Sequence, residues 1–184
     1  ALRDRIDAGE LAGPRLLCAG QPLTPPGGHC HFWGGEVDGA DSFPAAIDRQ
    51  IEKNVDWIKV MATGGVNTEG YSIREAQFDT AELAAIRELA QSSGLPVAAH
   101  CHGTAGIRNA VEARVASIEH CSFAGENGFG DDFDASLPAE MRRAGIWVSP
   151  TVNAGWQRFA ERDDSRFYRD VRHYLAALRE AGVR

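Results

Sequence analysis

Lysine is almost missing from this chain of 184 residues: Lys53 and Lys59 stand against seventeen arginines. Acidic residues outnumber basic ones, and the net charge of −7 at neutral pH argues against the basic groove that nucleic acid requires. No apolar run reaches the roughly 18 residues of a membrane-spanning helix. The few cysteines, Cys18, Cys30, Cys101 and Cys121, lack the CxxC spacing of a zinc knot and are expected to be reduced thiols. There is no GxGxxG turn, so the main signature of a dinucleotide-binding sheet is also missing. What remains, with 43 % hydrophobic and 24 % charged residues, is ordinary for a folded domain with a real core.

Hydrophobic periodicity predicts strands at 15–20, 55–61, 95–101, 114–120 and 146–148. Helices are predicted at 1–9, 42–54, 80–93, 104–113, 135–144 and 164–181, with Ser42 as an N-cap and Gly94 as a stop. Turns that lead into strands are short. Loops that follow strands are long and rich in glycine, above all residues 21–41. This asymmetry predicts an α/β fold with a parallel sheet, part of a barrel whose functional face lies where the long loops are. Five strands do not close an eight-stranded barrel. Residue 1 falls inside a helix, and AGVR is the glycine-led turn expected before a further strand. The expectation is therefore one catalytic-domain fragment, residues 1–184, truncated at both ends. A self-contained open sheet of five strands is the alternative.

Chemistry concentrates where three apolar runs end. Lys59 closes VDWIK, His100 closes LPVAAH and His120 closes ASIEH. Neutral imidazole is a good ligand for zinc, and side chains from neighbouring barrel strands can converge on one ion. His102 shares a face with His100, because they are two positions apart on a strand. One of that pair would bind metal and the other would hydrogen-bond substrate. A protonated lysine beside a dication would be repelled. Burial, however, favours the neutral amine. That amine can take up carbon dioxide as a carbamate, an anionic oxygen ligand able to bridge two metal ions.

The segments IKVMATGG, VAAHCHG and IEHCSF, in that order, resemble the metal-dependent amidohydrolase superfamily, in its prolidase-like and ochratoxinase-like, imidazolonepropionase-related branch. The intervals of 41 residues from Lys59 to His100 and 20 from His100 to His120 match that branch, and GPRLLCAGQPLTPPGGHCHFWGGEVDG is similar to its third-strand region. The resemblance implies a (β/α)8 TIM-type barrel of which this chain holds about strands 3 to 7. It implies two zinc ions, with Lys59 as the carboxylated lysine and Lys59, His100 and His120 as catalytic metal ligands. His29 and His102 would contact substrate. The branch's first-strand His-X-His is not in its place: the two HxH patterns, His29–His31 and His100–His102, do not supply it. Its eighth-strand aspartate would lie beyond Arg184. The segment by itself is thus expected to be inactive.

By this resemblance the complete protein hydrolyses an amide or peptide bond of an Xaa-Pro type dipeptide or an N-acyl amino acid through zinc-activated water. The rivals are a cyclic-amide or imidazolone hydrolase of the same superfamily and a non-catalytic metal-binding module. Tyr71 and Arg74, in the loop after Lys59, are candidate contacts for a substrate carboxylate. Trp33, Trp57, Trp147 and Trp156 are expected to pack in the core or on the rim, with Trp156 also a pocket candidate. The expected partner is a small-molecule or dipeptide substrate, not nucleic acid or membrane. A homo-oligomer is left open, and the expected location is cytoplasmic.

Overall fold

A computed structural model describes residues 2–66, 68, 70–152, 155 and 166–184. A short helix, α1 (Leu2–Asp7), opens the chain and α2 (Phe43–Ile51) follows the first long loop. Then come β1 (Ile58–Met61), α3 (Thr80–Ser92), β2 (Val97–Gly103), α4 (Thr104–Glu112), β3 (Ser117–Ala124), α5 (Leu137–Ala144), β4 (Trp147–Ser149) and α6 (Arg166–Glu180). The four strands form one parallel sheet in sequence order, each pairing with the next.

Alternation along the strands gives the sheet two unlike faces. Ile58 and Val60 of β1, Val97, Ala99 and Cys101 of β2, and Ile118 of β3 are buried and join the apolar sides of the helices in one core. Leu83 and Ile86 of α3, Ile107 and Ala110 of α4, and Leu137 and Met141 of α5 supply the helical half. Full burial of each such Leu or Ile stabilises the fold by about 1.5–3 kcal/mol. The opposite face carries Lys59 and Met61, then Ala98, His100 and His102, then Ser117 and Glu119. The polar residues therefore share a face because the apolar ones claim the other.

Local signals explain the element ends. Asp79 accepts a hydrogen bond from the Glu82 amide while the Glu82 carboxylate accepts from the Asp79 amide, a complete capping box at the start of α3. Gly94, at φ 73°, turns the chain out of α3 as expected. Ser42 does precede α2, but its hydroxyl donates to the Gly39 carbonyl and caps nothing.

The strand predicted at 15–20 does not form. Its place beside β1 is taken by a single residue, Leu23, whose amide donates to the Lys59 carbonyl and whose carbonyl accepts from Met61. Pro22 and Pro25 flank this point, and proline brings no N–H to a ladder. Among the described residues the sheet thus has four strands and one bridge in place of five strands. β2 and β3 also begin later than predicted. Leu95 still bonds back to Ala90, Pro96 has no donor, and Arg114 turns left-handed at φ 57° before β3 can start.

Candidate metal centre

None of the three key side chains stands on the last residue of its strand. Lys59 is the second residue of β1, and His100 and His120 lie in the middle of β2 and β3. Ladder register puts Lys59 beside Ala98 and His100 beside Glu119, so these share the polar face. His120 is different. It pairs with Cys101, which points to the helices and whose thiol reaches the Gly106 carbonyl. Strict alternation would turn His120 the same way. It does not, because His120 (φ 68°) and Cys121 (φ 48°) are left-handed and the ladder breaks there. The bend brings the His120 ring back to the polar face.

The result is a cluster of imidazoles. His100 lies 4.7 Å from His102 and 4.6 Å from His120, centroid to centroid, and His102 stacks on His120 at 4.5 Å with 14° between planes. One ring nitrogen from each of the three lies within 4.8 Å of the others. His29 is 4.6 Å from His100, centroid to centroid. Its ring lies so close over Gly65 that a side chain there would displace it. These four histidines, Lys59, Met61, Cys30, Phe32, Trp33, Val66, Phe129 and Thr151 line a cavity of about 580 Å³.

Each imidazole of the cluster has one nitrogen engaged away from its neighbours. The Nε2 of His100 meets the Gly64 carbonyl at 3.1 Å. A carbonyl only accepts, so this nitrogen carries the proton and Nδ1 keeps its lone pair. His102 Nδ1 lies 2.7 Å from the Ser122 hydroxyl, and His120 Nδ1 lies 2.7 Å from that of Thr151. His29 Nδ1 contacts Thr68 Oγ1 at 2.8 Å. Burial, reinforced by the other imidazoles and Lys59, pushes His100 down to about 2; burial first, then His120, His29 and Lys59, pushes His102 down to about 3. Burial and Lys59 also lower His120, against Glu119. The histidines are therefore neutral at pH 7, the state that binds a cation. Burial lowers Lys59 as well, opposed by Glu119 and by the Cys101 and Cys30 thiols, which favours a free amine.

The structure separates the remaining candidates. Tyr71 and Arg74 are absent from the cavity lining, and the Arg74 guanidinium reaches Glu126 at 3.4 Å instead. Trp33, expected as packing, is half exposed at the cavity mouth, in an edge-to-face pair with Phe32 at 5.5 Å. Trp147 is exposed on β4 under the Arg184 guanidinium. Trp156 lies outside the described residues. All four cysteines are free. No described helix is long and apolar enough to cross a membrane. Sequence reading missed Ser122, Thr151, Thr68 and Glu119. Only Glu119 had a usable signal, since it shares the face of Ser117 by alternation.

The chain is 32 % identical over 146 residues to an ochratoxinase of Aspergillus niger, covering 66 % of this chain and 30 % of that one. Among solved structures, a Xaa-Pro dipeptidase with methionine bound in its active site matches at 31 % identity and a TM-score of 0.75, over 96 % of this chain and 45 % of the other. A prolidase complexed with N-methylphosphonate-L-proline matches at 26 % identity and a TM-score of 0.80, over 100 % of this chain and 50 % of the other. The chain thus spans no more than half the length of these relatives, and its parallel sheet is part of a (β/α)8 barrel. The model of the amidohydrolase family matches residues 1–184 throughout, and the chain belongs to that family.

Proposed function

We propose that the complete protein, of which residues 1–184 are one part of the catalytic barrel, is a metal-dependent hydrolase of amide bonds. Its substrates are Xaa-Pro dipeptides or N-acyl amino acids. The observation that carries this reading is the convergence of neutral His100, His102 and His120 beside the desolvated amine of Lys59. The donor set fits the cation the family implies: unprotonated imidazole nitrogens are zinc ligands, and burial shifts Lys59 toward the amine, which would not repel a dication. The likeness to an ochratoxinase and to a Xaa-Pro dipeptidase supports the substrate class.

In this reading Lys59, His100 and His120 hold two zinc ions. The free amine of Lys59 adds to the carbon of carbon dioxide and loses one proton, which leaves an anionic carbamate with two oxygen donors. When bound, the zinc ions supply Lewis-acid polarisation of a carbonyl and acidify water. His102 keeps Nδ1 on Ser122 and turns its other nitrogen to the substrate amide. His29, held by Thr68 over Gly65, forms the wall opposite. Phe32, Trp33 and Val66 give the cavity an exposed apolar rim that a substrate side chain would cover.

The test is turnover by the full-length protein, with zinc and bicarbonate, of a panel of Xaa-Pro dipeptides, N-acyl amino acids and cyclic amides. Linear amides are hydrolysed, and Lys59→Ala loses both turnover and zinc content. Turnover of cyclic amides alone overturns the substrate class. Undiminished turnover by Lys59→Ala removes the carbamate.

A further inference from the structure

Thr151 lies two residues beyond β4, and its conformation needs a reason. Its φ is 52°, in the left-handed region that β-branched residues avoid. Such backbone persists only where surrounding structure enforces it, and it concentrates at functional sites. β4 supplies the constraint. Glu119 of β3 and Ser149 form the last pair of the β3–β4 ladder, and His120 and Pro150 are the next residues of the two segments. His120 turns left-handed, Thr151 turns left-handed, and the two side chains meet at 2.7 Å between Nδ1 and Oγ1. Thr151 also lines the cavity. Two left-handed residues, one within β3 and one just beyond β4, meet through their side chains and form a brace for one imidazole.

We infer that Thr151 is a positioning residue that holds His120 as the Nδ1–H tautomer, so that Nε2 faces the cavity with its lone pair free. This inference rests on the reading of His120 as a cation ligand. The Thr151 hydroxyl oxygen accepts a hydrogen bond from Nδ1–H and fixes the ring about its Cα–Cβ and Cβ–Cγ bonds. The reverse arrangement, with the hydroxyl donating to Nδ1, would put the proton on Nε2 and remove the lone pair from the cavity. Partners that orient a ligand imidazole in this way govern metal affinity.

The experiment uses full-length protein, stripped of metal and labelled with ¹⁵N-histidine. Long-range ¹H–¹⁵N spectra report which nitrogen of His120 is protonated, with the resonances assigned by their loss in His120→Asn. The wild type shows Nδ1–H. Thr151→Val, which keeps the branched shape without the hydroxyl, shows a mixture of tautomers and binds Co²⁺ roughly tenfold more weakly by its visible absorption. Thr151→Ser restores both. An Nε2–H tautomer in the wild type overturns the inference, and so does wild-type Co²⁺ affinity in Thr151→Val. Should Thr151→Val fail to fold, the wild-type tautomer and the serine variant decide. Nδ1–H in a wild type that takes up no Co²⁺ supports the brace and overturns the metal-centre reading instead.

Discussion

At the scale of single residues, His102 is the instructive case. It lies inside the donor cluster of His100 and His120, yet its ring is sandwiched between His120 and Phe129, with Nδ1 on Ser122. A ring stacked on a ligand is well placed to face what the ligand holds. His102→Ala in the full-length protein is expected to keep its zinc content, measured by mass spectrometry, and to lose turnover by about tenfold, as loss of one substrate hydrogen bond does. Loss of one zinc would move His102 into the ligand set. The placement of Lys59, His100 and His102 on one face was legible, because a period of two and two runs of small apolar residues leave no other choice. His120 was placed with them by its position in a similar run, although the alternation that served the others points it outward. Only the left-handed turn at His120 and Cys121 rescues that placement, and no residue type in EHCSF announces it. Ser122, Thr68 and Thr151 were illegible because a lone hydroxyl has no pattern. Arg74, a loop side chain without a pattern to fix it, pairs with a nearby carboxylate, Glu126.

Elements were clearer than residues. The amphipathic helices α3, α4 and α5 fall within about two residues of where apolar spacing puts them, since each has one side that must be buried. Extended segments were harder. RLLCAG has the composition of a strand, but a strand needs a partner with free donors. The prolines around Leu23 restrict that partnership to one residue. The capping box at Asp79 and Glu82 went unused, although D-x-x-E before an apolar helix is a readable signature. Asp79→Ala is expected to destabilise the fold by about 1 kcal/mol, read as a lower urea midpoint with an unchanged slope. Asp79 does not line the imidazole cavity, so zinc content should not move. A combined loss of stability and metal would show that α3 and the centre are coupled.

For the molecule as a whole, a neutral histidine cluster makes stability depend on acidity. The folded chain holds His100 and His102 at about 2 and 3, while the unfolded chain titrates near 6.5. Between those values the unfolded state binds more protons than the folded one. Stability is therefore complete above pH 6.5 and falls as pH drops through that window, by up to about 1.4 kcal/mol per unit per imidazole. Urea unfolding of the metal-free protein at pH 7 and pH 5 measures this. A midpoint that does not move would mean the imidazoles reach water more freely than their burial indicates.

The broken ladder between β2 and β3 has one more implication. From Cys101 to Gly103 the chain advances two residues, while from His120 to its next partner at Ala124 it advances four. The surplus is what feeds a ring from the helix side to the mouth. Deleting a residue there, or grafting in an ideal strand, would preserve the parallel sheet while swinging one imidazole out among the helices. Descent from a common barrel could thus silence this centre without touching any of its histidines.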